Sequence, residues 1–388
     1  MNRNPVEADE QLAVLAKRLP ANRTDARILA VAAERRERLR AWMAGQGLAG
    51  VLLSRRDNFA WLTGGGESHV LRGTEVGSGH LLVTPRQQYL IAYSMDAERL
   101  LDEQLPGQEY QPVVIRWYEG DPRAQALHLA GERLAADTPL PGAQLAAEEI
   151  TRLHGPLAPF ELDRCRWLAR QTALNLEALA EWARPGLSEE AIGRQMAAAF
   201  AGQGIDLEVV IVGSDARLGR IWHATPSPKP VERYCSIHAA ACRWGLHANV
   251  NRFVCFSPPP EAVRRAHAAA VTIQARVLAS IQPELPYAAV LERQKAWYAE
   301  LGYPEDWRRH FQGGPTGYFI GDDRSATDLR VEAGTAFDWF ITVQGIQVEE
   351  LSLLTGSGLE IASLGERWPR ACIETAGGPV VVPDLWVR

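Results

Sequence analysis

The sequence predicts an α/β (α+β) protein of two domains, and three observations support this prediction. The chain has 388 residues, more than one domain of ordinary size contains. Residues 26–155 alternate short apolar strand segments with helical segments, a pattern typical of a mixed sheet covered by helices. Residues 156–388 contain a weak repeat in which a pair of helices precedes strands, so we expect this second domain to consist of two similar halves.

Composition is that of an ordinary globular protein and excludes several function classes. Apolar residues make up 46% and charged residues 23% of the chain, and the net charge of −6 argues against nucleic acid as a partner. The five cysteines are odd in number and form no CxxC pair, so we expect neither a disulfide scaffold nor a zinc ribbon, and we expect a reducing cytoplasm. No apolar stretch predicts a signal peptide or a membrane span.

The first domain is predicted from the order of its apolar segments. Residues 1–25 are expected to form a loose or weakly helical arm, and residues 26–48 an amphipathic helix that ends at Gly45 and Gly47. Strands are predicted at 50–53, 80–84 and 88–93, and helices at 57–62 and 96–104. Segment 105–160 is rich in Pro and Gly, and we expect it to carry a crossover helix and the linker.

The second domain contains the repeat. Residues 167–205 and 262–303 each read as two helices separated by a turn that contains proline, and strands follow each pair. Ser188 is a good N-cap, and Glu189 and Glu190 favour the positive end of the helix that it starts. Two αα-ββ halves that face each other would form a cleft, where we expect a functional site.

The stretch from Tyr234 to Phe256 predicts a hairpin with one polar face. Its strands are expected at 235–242 and 246–256, joined by a tight turn at Arg243-Trp244-Gly245. Alternation places His247, Asn249 and Asn251 on one face and apolar residues on the other. The polar face is interpreted either as the wall of a cavity or as the wet side of an ordinary hairpin.

Three further motifs accompany the hairpin, namely the loop Trp222–Pro226 (WHATP), the Gly-rich turn His310–Tyr318 (HFQGGPTGY) and the strand pair Ala336–Leu354. In order and spacing, the four motifs resemble the pita-bread family of methionine and proline aminopeptidases, prolidase and creatinase, over about residues 30–365. The resemblance implies a small creatinase-like N-terminal α/β domain plus a C-terminal pita-bread domain with pseudo-twofold αα-ββ halves.

The resemblance also bears on metal binding. The family's metallopeptidases hold two divalent cations with two Asp, one His and two Glu, which fall here on His238, Asn249, Phe311, Phe340 and Glu349. Phenylalanine cannot bind such a cation, and a neutral Asn is a weaker ligand than Asp. The resemblance therefore implies that no metal cofactor is bound. The alternative is one divalent transition metal at a relocated site made of His238, His247, Asp338 and Glu349.

Creatinase is the family's precedent for catalysis without metal, and it uses a loop histidine as acid and base. His223 falls on that loop, and an imidazole can take and return a proton near neutral pH; the alternative is a structural histidine. Glu349 and Glu350 are consecutive on a strand and must face opposite ways, and the alignment favours Glu349 in the cleft. Arg252 matches a family Arg near the site, where it is expected to act in catalysis or simply to pair with a buried Glu.

Substrate contacts are expected from the polar stripe and the Gly-rich turn, namely His238, His247, Asn249, Phe311, Gln312, Trp339 and Phe340. The aromatic members would form a wall for an apolar or aromatic group, and Gln312 would offer hydrogen bonds to a carboxylate or amide. Family members of this type are usually homodimers, so Arg72 of one subunit is expected near the other subunit's site. A nucleophilic pair of Cys235 or Cys242 with His223 is a further alternative.

Three functions follow as hypotheses. The first is a metal-independent enzyme that hydrolyses a C–N bond, or performs related acid/base chemistry, on a small amino-acid-like or amidine-like substrate, with His223 as acid/base. The second is a metal-dependent Xaa-Pro aminopeptidase or dipeptidase with a relocated metal. The third is a binding protein without catalysis. The presence of His223, Glu349 and the Gly-rich turn favours the first hypothesis.

Overall fold

The computed structural model describes residues 9–321 and 329–388, and this part of the chain divides into two compact units. Pro20–Gly155 forms the smaller unit, and the remaining described residues form the larger one. Residues 1–8 of the predicted arm lie outside the described residues. The described part of the arm contains helix α1 (Glu10–Arg18), which belongs to the larger unit and has Asp9 as its N-cap.

The smaller unit is a six-stranded sheet with helices. Its helices are α2 (Ala26–Gln46), α3 (Arg56–Thr63), α4 (Ser94–Arg99), α5 (Gln125–Ala130) and α6 (Ala147–Arg152). Its strands are β1 (Gly50–Arg55), β2 (Val76–Val83), β3 (Gln88–Tyr93), β4 (Gln111–Ile115), β5 (Leu134–Ala136) and β6 (Gln144–Leu145). The strand order β4-β3-β2-β1-β5-β6 combines parallel and antiparallel neighbours, so the predicted mixed sheet is confirmed.

The larger unit begins with two helix pairs, each followed by strands. The helices are α7 (Pro159–Trp182), α8 (Glu189–Ala201), α9 (Glu261–Ser280) and α10 (Tyr287–Glu300). The first pair precedes β7 (Asp206–Ser214), β8 (Tyr234–Arg243) and β9 (Leu246–Cys255). The strands after the second pair are β10 (Gly314–Thr316), β11 (Thr335–Asp338), β12 (Ile341–Val343), β13 (Ile346–Val348), β14 (Leu351–Thr355), β15 (Gly358–Ile361), β16 (Arg370–Thr375), β17 (Gly378–Pro383) and β18 (Trp386–Val387).

The predicted repeat of two helices followed by strands is therefore present in the larger unit. The N-cap of α8 is Ser188, whose hydroxyl accepts a hydrogen bond from the Ala191 amide at 3.1 Å, as the sequence predicted. The strands form one sheet in the order β18-β9-β8-β7 and another in the order β10-β11-β14-β15. The α/β (α+β) class predicted from the sequence is confirmed.

The β8–β9 hairpin is closed by a two-residue turn. Trp244 and Gly245 both have positive φ, of 57° and 70°, which is the backbone of a type I′ turn and matches the twist of the two strands. Arg243 pairs with Leu246, and the register continues to Tyr234 paired with Cys255. The hairpin has ten residue pairs without a bulge, so side-chain alternation is regular along both strands.

Backbone hydrogen bonds tie this hairpin to the second half of the larger unit. The amide of Asn251 donates to the Glu349 carbonyl at 3.1 Å, and the amide of His247 donates to the Gly317 carbonyl at 2.9 Å. Because these two amides point away from β8, their residues belong to the non-hydrogen-bonded pairs of the hairpin, in which opposite side chains are closest. The edge of β9 that faces away from β8 thus lies against the Gly-rich turn and Glu349.

A hydrophobic core packs behind the strands of the larger unit. It includes Phe253 of β9, Ile273 and Val277 of α9, Phe337 of β11 and Ile341 of β12, all buried. Among the described helices, none is both long enough and apolar enough to cross a membrane.

Candidate functional site

The polar face of the hairpin collects the side chains of three cross-strand pairs. These pairs are His238 with Asn251, Ala240 with Asn249 and Cys242 with His247. Paired residues point to the same side of a sheet, and every second residue along a strand does so as well. The three pairs therefore form one row, and all three polar residues of β9 in it, His247, Asn249 and Asn251, are buried.

A buried cluster of two carboxyl groups and one imidazole lies at the middle of this row. The Nδ1 atom of His238 is 2.8 Å from the Oε2 atom of Glu349, and the Gln347 amide donates to that same oxygen at 2.6 Å. The side-chain amide of Asn249 donates to Asp338 and also to the Ile320 carbonyl, the latter at 3.1 Å. Asp338 ends β11, and Glu349 directly follows β13.

Burial shapes the protonation of this cluster, since Asp338 and Glu349 are both fully buried. Burial raises the pKa of Glu349 to about 8. Burial and the hydrogen-bonded Glu349 carboxylate raise the pKa of Asp338 well above its usual range. Burial lowers the pKa of His238 to about 4. Near neutral pH, His238 is therefore neutral, and the two acids hold at least one proton between them because two adjacent carboxylates cannot both ionise easily.

Two histidines contact each other beside this cluster. The Nε2 atoms of His223 and His310 are 2.9 Å apart, and the Nδ1 atom of His310 is 2.7 Å from the Phe311 carbonyl oxygen. A carbonyl only accepts hydrogen bonds, so Nδ1 of neutral His310 carries the hydrogen and its Nε2 is an acceptor. His223 must then donate from Nε2, which leaves its Nδ1 with a lone pair. Burial lowers the pKa of His310, which favours this neutral form.

Aromatic rings stand beside the histidines. Phe311 and Phe340 meet edge to face at 4.9 Å between ring centroids, and His310 lies 4.3 Å and 5.8 Å from these two rings. Phe340 is buried, whereas Phe311 is half exposed. Trp222 stacks on His310 from the loop that carries His223. The arrangement offers an apolar surface next to groups that can exchange protons.

Two of the predicted site residues lie elsewhere. Arg252 faces the opposite side of β9, where its guanidinium binds the Glu350 carboxylate and the Ser363 carbonyl, so it does not contact the Glu349 cluster. Trp339 belongs to the hydrophobic core and stacks on Phe337 at 5.9 Å. Strand alternation explains both corrections, because Asn251 and Asp338 face the site and their next neighbours must point away.

Other predicted residues have contacts that the sequence did not specify. The side-chain amide of Gln312 donates to the Trp307 and His310 carbonyls, so it supports the backbone of its own loop. Arg72 lies in the smaller unit and is exposed. Cys235 is fully buried, and burial raises the pKa of its thiol, which opposes a role as a nucleophile. His247 lies beside Cys242 and Glu208 rather than beside Glu349.

Sequence reasoning missed two residues at the site. His310 was not among the residues predicted for the site, yet it contacts His223. Alternation does not apply at His310, because it directly follows the 3₁₀ turn Asp306–Arg309. Glu208 was not considered, since a β-bulge between Leu207 and Val209 brings it to the row, and no local signal predicted that bulge.

Comparisons with known proteins agree with this architecture. Residues 164–339 match Metallopeptidase family M24, and residues 35–143 match the Creatinase/Prolidase N-terminal domain. No curated protein resembles the chain at a significant level.

Several solved structures share the fold. The chain is 19% identical to the Xaa-Pro dipeptidase from Bacillus anthracis, with a TM-score of 0.72 over 88% of this chain and 99% of that one. It is 17% identical to the prolidase from Pyrococcus horikoshii OT3, with a TM-score of 0.73 over 86% and 99% of the two chains. The N-terminal domain of FACT complex subunit SPT16 from chickpea is 11% identical, with a TM-score of 0.65 over 87% and 96%. The chain thus belongs to the pita-bread family, with a creatinase-type N-terminal domain followed by a domain of metallopeptidase family M24.

Proposed function

We propose that the protein is a metal-independent enzyme of the creatinase type, which hydrolyses a C–N bond in a small amino-acid-like or amidine-like substrate. The observation that carries this proposal is the contact between His223 and His310. In hydrolysis, His223 takes a proton from the attacking water at Nδ1 and returns it to the leaving nitrogen, so that the proton balance closes. Related acid/base chemistry, such as a rearrangement, would use the same histidine.

His310 gives His223 a defined orientation for this role. Its Nε2 accepts the His223 N–H, and its own Nδ1–H is fixed on the Phe311 carbonyl at 2.7 Å. When His223 becomes an imidazolium ion, the same hydrogen bond stabilises the positive charge. His310 is therefore a positioning residue, comparable in role to the third member of a nucleophile–base–orienter triad.

The buried carboxyl pair supports a substrate with a cationic group. Near neutral pH the raised pKa values of Asp338 and Glu349 favour the protonated forms of both acids, and His238 beside them is neutral. The positive charge of a substrate amine or amidinium would favour ionisation of one of these carboxyl groups, which would then pair with it. Phe311 and Phe340 would then contact the apolar part of the same molecule. We infer from this that Glu349 binds the substrate cation.

The side chains at this site do not fit the family's pair of divalent cations. Phe311 and Phe340, which take two of the five ligand positions, present only ring carbon and hydrogen and contact each other at 4.9 Å. Asn249 uses its amide nitrogen on Asp338 and Ile320, and it brings no negative charge. Hard cations require several oxygen ligands with carboxylate charge, so no step of the proposed reaction passes through a cation here.

A relocated single metal remains the second candidate, and one observation favours it. Oδ1 of Asn249, Oδ1 of Asp338 and Oε1 of Glu349 are buried without a hydrogen-bond partner, and Nδ1 of His238 lies 2.8 Å from Oε2 of the same Glu349. One imidazole, two carboxylates and an amide would suit a transition metal, and the activity would then be that of a metal-dependent Xaa-Pro aminopeptidase or dipeptidase.

The decisive experiment measures turnover after removal of metals. The purified protein is treated with a chelator, desalted and assayed against amino-acid amides, amidines and Xaa-Pro dipeptides. We expect saturable turnover of a small substrate that survives chelation. We further expect His223→Ala to lower kcat by about 10²–10⁴-fold. His128→Ala, which changes an exposed histidine of the smaller unit, is the matched control and should leave kcat unchanged.

The other outcomes identify the competing functions. Turnover of Xaa-Pro dipeptides that chelation abolishes, and that Glu349→Gln also abolishes, would establish the relocated metallopeptidase. Full activity of His223→Ala in a folded protein would refute the acid/base role of this residue. Absence of turnover across the panel, together with saturable binding of a ligand, would leave a binding protein without catalysis.

We also propose a homodimer in the cytoplasm that acts on a small molecule rather than on nucleic acid or a membrane. The negative net charge argues against nucleic acid, and five cysteines without disulfide partners suit a reducing compartment. The homodimer is what the family resemblance implies. Sedimentation of the purified protein tests the dimer, and fractionation of cells tests the location.

A further inference from the structure

A second cluster of possible metal ligands lies at the turn end of the β8–β9 hairpin. Glu208, Cys242 and His247 each present one ligand atom, and these three atoms all lie within 4.8 Å of one another. Among the described residues, this is the one group of three or more His, Cys, Asp or Glu side chains that converges so closely. The family resemblance assigns none of the three as a cation ligand, and the proposed reaction does not use them.

The geometry of the sheet explains why these three residues meet. Cys242 and His247 are directly opposite each other in β8 and β9. The His247 amide donates to Gly317 instead of to β8, so this is a non-hydrogen-bonded pair, in which side chains are closest. Glu208 is the extra residue of the bulge in β7, between Leu207 and Val209. A bulge redirects a side chain, and bulges are frequent next to functional sites.

The orientation of His247 also suits a metal ligand. Its Nδ1 atom is 3.0 Å from the Gly317 carbonyl oxygen, so Nδ1 carries the hydrogen and Nε2 keeps the lone pair. Histidines that bind metals almost always donate their other ring N–H to a carbonyl or carboxylate, which fixes the tautomer and the ring. His247 is buried and held at both its backbone and its ring by Gly317, so this nitrogen is already positioned.

We propose that Glu208, Cys242 and His247 bind one Zn²⁺ ion. A thiolate, an imidazole and a carboxylate are the three ligand types that zinc takes in proteins, and tetrahedral coordination would bring the ligand atoms about 3.3–3.6 Å apart. Glu208 is exposed and Cys242 is partly exposed, so small rotations of these side chains achieve that contraction. The thiolate and carboxylate charges balance the cation, and a sulfur ligand disfavours magnesium and calcium.

Three protein ligands leave the fourth position of the zinc ion for water or a small anion. Binding displaces the thiol proton of Cys242, so zinc affinity falls as the pH is lowered. Through His247 the ion would fix the hairpin turn against Gly317, in the Gly-rich segment that also carries His310. The proposal does not depend on the proposed function, because it concerns zinc binding and not turnover.

The test measures zinc bound by the full chain. The purified protein is incubated with Zn²⁺, desalted and analysed for metal, and its affinity is measured by competition with a chromophoric chelator. We expect about one equivalent in the wild type and a loss of affinity of about tenfold or more in Cys242→Ser and in Glu208→Gln. Cys372→Ser, which changes an exposed cysteine of the same unit, is the matched control and should bind like the wild type.

Cobalt substitution provides a signature of the ligands themselves. Co²⁺ at this site should show a sulfur-to-metal charge-transfer band in the near ultraviolet, which Cys242→Ser abolishes and Cys372→Ser retains. Glu208→Gln changes an exposed side chain, so its loss of affinity cannot be attributed to unfolding. The proposal is overturned if the wild type retains no zinc, if Cys242→Ser binds zinc with unchanged affinity, or if Glu349→Gln alone removes the metal.

Discussion

Glu349 and Glu350 are neighbours in sequence, have the same side chain and are both buried, yet their surroundings differ completely. Glu350 binds the guanidinium of Arg252 with both oxygens and also accepts from the Ser363 hydroxyl. Glu349 lies against Asp338, the neutral His238 and Gln347. Within the described part of the chain, Glu349 forms no ion pair with a Lys or Arg.

The comparison indicates a structural role for Glu350 and a functional role for Glu349. Burial raises the pKa of Glu350, but Arg252 opposes this effect by pairing with the carboxylate. Burial raises the pKa of Glu349 to about 8, and no cation opposes it. A buried acid without compensation costs stability, and such positions are typical of sites that bind or react. Burial alone therefore did not distinguish the two residues, whereas their partners did.

The largest expected effect is on stability and comes from breaking the ion pair of Glu350 with Arg252. Arg252→Ala leaves the Glu350 carboxylate buried without its cation, so we expect the free energy of unfolding to fall by about 3–5 kcal/mol. Urea denaturation measures the change. The double variant Arg252→Met, Glu350→Leu removes both charges and should recover most of the loss. A single variant as stable as the wild type would contradict the structural assignment.

The next largest effect is the pH dependence of stability that Glu349 causes. Between its ordinary value of 4.5 and about 8, Glu349 holds a proton in the folded state that it has lost in the unfolded state. Raising the pH through this range removes that proton at a cost, so the free energy of unfolding should decrease, by roughly 2–4 kcal/mol. Urea denaturation at a series of pH values measures it.

Glu349→Gln cannot titrate at this position and should reduce this dependence, and the remainder belongs to Asp338 and His238. Glu374→Gln, which changes an exposed acid of the same unit, should reproduce the wild-type curve. If Glu349→Gln kept the full pH dependence, the raised pKa would belong to a different group.

A smaller effect, on kcat/KM, is expected from changing Phe311 in the apolar wall of the site. Phe311→His introduces a polar ring at a half-exposed position and should lower kcat/KM for a substrate with an apolar side chain by about tenfold. Phe311→Leu keeps the apolar contact and should stay within a few-fold of the wild type. Steady-state kinetics measures both variants with whichever substrate the assay after chelation identifies. Unchanged kinetics in Phe311→His would remove the apolar wall from the proposal.

The smallest effect tests whether Arg72 of one subunit reaches the site that contains Glu349 in the other subunit. Arg72 is exposed, so Arg72→Ala should leave the free energy of unfolding within about 0.5 kcal/mol of the wild type. If Arg72 reaches the partner's site, kcat/KM should fall in the dimer, whereas Arg116→Ala, at another exposed arginine of the same unit, should have no effect. Equal kinetics in both variants would exclude Arg72 from the site.

The fold was largely predictable because its signals are local. The polar stripe of β9 and the two-residue turn at Trp244 and Gly245 follow from alternation and backbone conformation. The Ser188 N-cap is a chemical property of a few adjacent residues. Together with the order of the helix pairs, such signals were enough to indicate the family.

The candidate site was predictable only in part, because its members come from distant segments. The interpretation of Glu349 and Glu350 as facing opposite ways rested on alternation, and the two residues do have different partners. Arg252 was placed at the site by its match to a family Arg, and Trp339 was added as a neighbour of Phe340, although neither side chain faces the site. His310 was passed over because it lies in a loop, where no period fixes the direction of a side chain.

The sequence alone determined the class of the fold, the order of its elements and the replacement of two metal-ligand positions by phenylalanine, since these depend on residue type and short-range periodicity. Only the tertiary structure decided which polar groups meet. In the tertiary structure, His310 contacts His223, and Arg252 forms an ion pair with Glu350. A bulge brings Glu208 close to Cys242 and His247. The physical reason is that protonation and ligand binding depend on burial and on contacts between residues far apart in the chain, and no local pattern encodes either.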